Sequence, residues 1–201
     1  MQDTEVIIID PEKEYKYLAE TVGGTFIAIS ISSPHHLNPF DLPIPGPEDK
    51  PADLLRSNII NLVGLLRIML GGLTPEEDAI IDKALADTYA SKGITADPES
   101  QKKEPPLMED LYRILLKNPS ASSLAKRLEK YVTGTFAGIF NKPTNIDLNR
   151  GFVVFNIRDL ETALRPIAMY MILDYIWSRI RSERRKRILI VDEAWIMMEN
   201  E

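Results

Sequence analysis

The sequence predicts an α/β protein, a mostly parallel sheet flanked by helices and interrupted by an all-helical insertion. Three observations carry that prediction. Short β-branched or apolar runs without polar alternation, VIII over residues 6–9 and ILIV over residues 188–191, read as parallel strands covered on both faces. The last part of the chain runs strand, helix, strand, with connections that suit the right-handed crossover of such sheets. Between the two α/β parts, about eighty residues carry helical patterns alone.

After the first strand, Asp10 can cap a helix whose first position suits Pro11, while Glu12 and Glu14 favour the positive end of its dipole. Tyr15, Leu18, Ala19 and Val22 would share the buried face, and Gly23 with Gly24 would end it. TFIAISI, residues 25–31, is the second strand. Residues 32–52 then hold six prolines, which bars them from a central strand. A helix over residues 54–70 follows, and Thr74-Pro75-Glu76-Glu77 forms a capping box for the next. The charged linker TADPESQKKEPP precedes two shorter helices, the second over residues 120–132 and stopped by Gly134. GFVVFNI, residues 151–157, returns to the sheet; residues 161–181 form a helix apolar on most sides, and RILIVDE is the last strand. The expected organisation is thus an α/β core in two parts, residues 1–51 and 134–201, with the helical insertion over residues 52–133.

Composition sets the limits. A chain of 201 residues that is 44% hydrophobic can bury one substantial core. The absence of cysteine removes disulfides and thiolate metal sites and fits a reducing compartment. Acidic residues rather than a basic segment follow Met1, so no signal peptide is expected. The most apolar stretch, PIAMYMILDYIW, is about half the ~20 residues of a membrane span and contains Asp174, which makes it a core helix. A net charge of −6 argues against a nucleic-acid surface spread over the whole chain.

The chemistry concentrates at RILIVDE. An apolar strand that ends in adjacent carboxylates, Asp192 and Glu193, has the form found in P-loop phosphoryl-transfer ATPases, where the Asp helps hold Mg²⁺ and a following Glu orients the attacking water. The same pair also suits a plain structural reading, Asp192 as a cap and Glu193 as a first-turn charge. The phosphate cradle of such enzymes needs G-x-x-x-x-G-K-[ST]. These residues contain none: GTFAGIFNKPT, from Gly134, has the wrong glycine spacing and no lysine directly after its second glycine.

A resemblance bears on that gap. VIIIDPEKEYKYLAETVGGTFIAIS followed by LNPFDLP resembles the segment after the P-loop helix in the conjugative-transfer ATPases of type IV secretion systems, the VirB-four and TraC-like group. LEKYVTGTFAGIFNKPTNIDL, FVVFNIRDLE and RILIVDEAW are similar to the same family in the same order, so the resemblance covers nearly the whole chain. It implies a RecA-like ATPase domain whose P-loop lies upstream of residue 1 and whose glutamine-containing motif lies downstream of residue 201, with Met1 internal to a longer protein. It implies ATP and Mg²⁺ as cofactors, Asp192 as the Mg²⁺-side carboxylate acting through water, Glu193 as the residue that activates the attacking water, and Glu14 as an acidic residue near the nucleotide. The complete protein would be an oligomeric ATPase, a hexamer by resemblance, in the bacterial cytoplasm at the inner face of the membrane and without a span of its own. Its partners would be other secretion components and a DNA or protein substrate, and residues 1–201 alone would be inactive.

Two alternatives remain open at this level: a related DNA-translocating ring ATPase, and a non-catalytic helical docking module in which Asp192 only caps. For Glu14 and Asp10 the local reading is helix-end charge and cap. His35 and His36, adjacent in a proline-rich loop without an acid cluster at ligand spacing, do not read as a metal site. Asn38 to Asp41 reads as a turn out of the sheet. The basic run over residues 179–187 suits a helix carboxyl end in solvent or a contact to a neighbouring subunit or DNA. Trp177 and the methionines near it fall at helical spacings typical of core.

Overall fold

The computed structural model describes residues 4–46, 50–146, 148, 151–183 and 185–194; Arg184 of the basic run and Trp195 of the DEAW motif lie outside the described residues. Four strands, β1 (Thr4–Asp10), β2 (Thr25–Ala28), β3 (Phe152–Asn156) and β4 (Lys186–Val191), form one sheet in the order β2-β3-β1-β4. Every pairing is parallel, with Ile7 opposite both Val153 and Leu189. This is the predicted α/β class.

Side chains alternate between the two faces of each strand, and the faces are covered unequally. Ile7, Ile9, Ile27, Val153 and Phe155 are fully buried in the large core, against Ile167, Ile172 and Ile176 of α7 (Arg165–Ser182). Ile8 and Val154, on the other face, meet Ala19 of the short α1 (Lys16–Thr21). β4 forms one edge, where Ile188 and Ile190 remain 50% and 38% exposed.

The middle of the chain forms α2 (Pro51–Met69), α3 (Pro75–Ser91), α4 (Met108–Leu116), α5 (Ser122–Val132) and the single turn α6 (Ala137–Phe140). The capping box before α3 is present in full: the Glu77 amide donates to Thr74 Oγ1 at 3.2 Å and the Thr74 amide donates to the Glu77 carboxylate at 3.1 Å. Leu62, Leu65 and Leu66 of α2 belong to the same apolar cluster as the sheet and α7. Polar contacts reinforce that seam: Asn61 Nδ2 donates to Asp174 Oδ1 at 2.8 Å and the Tyr170 hydroxyl donates to the Asn61 carbonyl at 3.0 Å.

Four local expectations change. Pro11 does not open a helix; α1 starts only at Lys16, because Lys13 takes a left-handed φ of 68° that no α-helix accommodates. Of the face expected to be buried there, Ala19 is buried and Tyr15 partly so, whereas Leu18 and Val22 are exposed, since a helix of six residues offers only one turn or so of contact. The second strand ends at Ala28, and one further bond, Ile29 N–H to the Asn156 carbonyl at 2.8 Å, precedes the proline loop. Trp177 is not core: it is 53% exposed, on the side of α7 that faces away from the sheet residues.

The two glycines after α1 play different parts. Gly23 has φ 69° with open space around its Cα, whereas a Cβ on Gly24 would stand 2.6 Å from the Phe152 carbonyl oxygen. Gly23→Ala should therefore cost about 1–2 kcal/mol from conformation alone. Gly24→Ala pushes against strand backbone, an overpacking of about 1–3 kcal/mol or more, and should shift the β2–β3 pairing. Thermal unfolding of the two variants, with amide exchange at Thr25 and Phe26, checks the order.

Candidate functional site

In a parallel sheet the carboxyl ends of all strands share one edge, and here β1 and β4 are neighbours, so the turns that follow them are brought together. The ladder runs one bond past β4, with the Asp192 amide donating to the Ile9 carbonyl at 3.0 Å. Asp192 and Glu193 therefore leave the sheet beside Asp10 and the Pro11–Tyr15 turn. Both turns hold strained backbone. Lys13 and Glu193, with φ 68° and 47°, are the non-glycine residues of positive φ among the described residues, and such conformations cost energy that surrounding structure must hold.

Each turn is fixed by its own carboxylate. Asp10 is fully buried and accepts the amides of Glu14 at 3.1 Å and Tyr15 at 3.0 Å, one on each oxygen. It caps, as expected, but it caps a loop instead of a helix. Asp192 Oδ1 accepts the Glu193 amide at 2.9 Å. The Glu193 carboxyl is pushed above the usual carboxylate range by desolvation, then by the charges of Glu12, Asp192 and Glu14, with Arg165 opposing. The three predicted residues Asp192, Glu193 and Glu14 thus share one edge and one electrostatic field, with Glu12 added to them. Glu14 itself is exposed.

Sequence reasoning missed the basic side of this edge, which comes from the loop between β3 and α7. Arg158 donates to the Glu12 carbonyl at 3.1 Å. Arg165 donates to the carbonyls of Leu160 at 3.3 Å and Arg158 at 3.0 Å while lying 3.7 Å from the Glu12 carboxylate. Lys13 pairs with Asp159 at 3.4 Å. These contacts clasp the turn after β1 to the loop after β3. Asn156, the last residue of β3 and 1% exposed, donates to the Asp10 carbonyl at 2.6 Å while its own side-chain oxygen has no partner. A polar residue ending an apolar strand was the available signal for it; for the arginines, only the sheet order reveals which loop they face.

The edge carries four carboxylates, and among the described residues no group of three or more His, Asp or Glu side chains is placed to hold a metal ion. Residues 1–201 contain no G-x-x-x-x-G-K-[ST] motif, whose amides and lysine would cradle a polyphosphate. Among the described residues no helix is long and apolar enough to cross a membrane.

No protein-family model and no curated protein matches the sequence. Among solved structures, VirB4 of Thermoanaerobacter pseudethanolicus is similar, with a TM-score of 0.84 and 28% identity over 96% of this chain and 76% of that one. The sheet and flanking helices are consistent with a RecA-like α/β domain, and the likeness in both fold and sequence supports reading the chain as VirB4-like.

Proposed function

We propose that this chain supplies the Walker B side of an ATPase motor of the type IV secretion or conjugative-transfer class. The observation that carries the proposal is the convergence of Asp192, Glu193, Glu14 and Glu12 at the carboxyl edge of adjacent parallel strands, Glu193 on strained backbone. The likeness to VirB4 supports it. Asp192 would hold the Mg²⁺ through water, and Glu193 would take the proton of the attacking water. Bound Mg·ATP supplies the electrophilic phosphorus and neutralises part of the acidic edge. Glu14 stands at the end of the neighbouring strand as a further acidic group beside the nucleotide. Arg158 and Arg165 hold the turn that carries it. The P-loop comes from outside residues 1–201, and the complete protein works as a homo-oligomer, a hexamer, at the inner face of the cytoplasmic membrane, with other secretion components and a DNA or protein substrate.

One observation favours a second reading. The Asp192 carboxylate accepts the amide of the adjacent Glu193, a local side-chain-to-backbone bond that serves the turn itself, and on a purely structural reading of that bond the chain is a docking module.

Nucleotide binding tests the proposal from its weak side. Unneutralised carboxylates repel phosphate charge, so calorimetry on residues 1–201 should show no Mg·ATP isotherm in the micromolar range, whereas the complete gene product should bind and hydrolyse it. A micromolar isotherm from residues 1–201 alone would overturn the division of the site between two segments, and absence of hydrolysis by the complete product would leave the docking reading.

A further inference from the structure

A second polar site lies away from the acidic edge, between the proline loop, α2 and α7. Asp174, which lines it, is nine residues along α7 from Arg165, about 13 Å at 1.5 Å per residue. The cavity measures about 310 Å³ and is walled by Leu37, Leu42, Leu62, Leu65 and Met171. That is the low end of ligand pockets and of a size for one side chain.

Two carboxylates line this space, and the side chains that hydrogen-bond to them are neutral. Asp174 accepts from Asn61, and Asp41 is backed by the side chains of Thr144 and Asn38. Neither forms an ion pair among the described residues. Half-burying a carboxylate without a cation is unfavourable, and desolvation pushes both above the usual carboxylate range, Arg181 partly offsetting this for Asp174. Their charge also raises the Tyr89 hydroxyl further, so their fields overlap inside the fold. Of the other cations at the rim, Lys103 donates to the Gly93 carbonyl at 3.0 Å and Arg179 pairs with Glu183 at 3.3 Å. Ile44, 56% exposed beside the mouth, offers apolar surface beyond the reach of a small amine.

We infer that this cavity receives the side chain of a lysine or arginine from a partner protein, its aliphatic stem against the leucines and its cation between Asp41 and Asp174. The inference does not depend on the ATPase reading, since it uses none of the residues at the sheet edge.

The test is an NMR titration of the chain with butylammonium, with butanol as the uncharged control of the same stem, and with a short peptide carrying one lysine between leucines. Saturable shifts of the Asn58 and Asn61 side-chain amides are expected with butylammonium and not with butanol. The peptide should bind at least tenfold tighter. Asp174→Asn, which keeps the acceptor for Asn61, and Asp41→Asn should each weaken both cationic ligands tenfold or more, with melting curves confirming the fold. Arg181→Gln should strengthen binding, because it removes the cation whose charge acts on Asp174. Failure of butylammonium to saturate, or equal response to butanol, overturns the site on the unaltered chain alone. Equal affinity for peptide and free amine overturns the assignment to a protein-borne side chain.

Discussion

Glu193→Gln, made in the complete protein that joins these residues to a P-loop, is expected to keep nucleotide binding while turnover falls by a factor on the order of 10²–10⁴. The substitution preserves shape and hydrogen-bonding reach and removes only the charge that draws a proton from the attacking water. Asp192→Asn should also weaken Mg²⁺-dependent nucleotide binding, because it removes charge opposite the cation. The capping reading predicts otherwise: Asp192→Asn would cost about 1 kcal/mol or less of stability, with turnover per folded molecule unchanged. The backbone adds a discriminating variant. Glu193 sits at φ 47°, a region glycine enters freely, so Glu193→Gly should be no less stable than the parent protein and yet as slow as the glutamine variant. Steady-state hydrolysis and melting temperature measured together on the three variants decide the matter; near-normal turnover by Glu193→Gln would remove the catalytic assignment.

Loss of one member of the Glu5–Arg187 pair should produce the largest change in stability. The two residues are opposite one another in the β1–β4 register, their side chains are 9% and 6% exposed, and they form an ion pair. Arg187 also donates to the Glu183 carbonyl at 2.6 Å, joining the end of α7 to the strand that follows it. Removing Arg187 strands Glu5 out of water, which costs about 3–5 kcal/mol, whereas removing Glu5 leaves Arg187 a second carboxylate partner in Glu183 at 3.5 Å. For a domain of this size the full cost is a fall in Tm on the order of 10 °C. Arg187→Met should show it in full and Glu5→Leu only in part, and the double replacement should recover most of the loss, because an apolar pair leaves no buried charge. If Arg187→Met melts within about 2 °C of the parent, the pair is effectively solvated and the β1–β4 ladder rests on its apolar residues alone.

Much of this architecture is legible from local chemistry. β-branched runs such as VIII and ILIV specify strands that must be covered, the capping box at Thr74 and Glu77 places a helix start, and six prolines exclude residues 32–52 from the sheet. Adjacent carboxylates after an apolar strand mark Asp192 and Glu193 as the place to look. These signals survive without tertiary knowledge because propensity, capping and burial period act over a few residues. They misjudged the residues after β1, where Asp10 and Pro11 favour a helix start but Asp10 instead spends both oxygens on the amides of Glu14 and Tyr15.

Only the tertiary structure decided what faces what. Strand order puts β1 between β3 and β4, and that placement alone brings Glu12 and Glu14 to Glu193 and turns Arg158 and Arg165 toward them from a segment about 150 residues away in sequence. It also buried Arg187, which in sequence is one of a run of solvated cations, by setting Glu5 opposite it. Trp177 went the other way, out of the core, because which side of α7 meets the sheet is chosen by packing against Ile7, Ile9 and α2, and the helix is apolar on too many sides for its own pattern to choose. Local sequence specifies the elements; the pairing order of a parallel sheet, a property of contacts distant in sequence, specifies which charges meet.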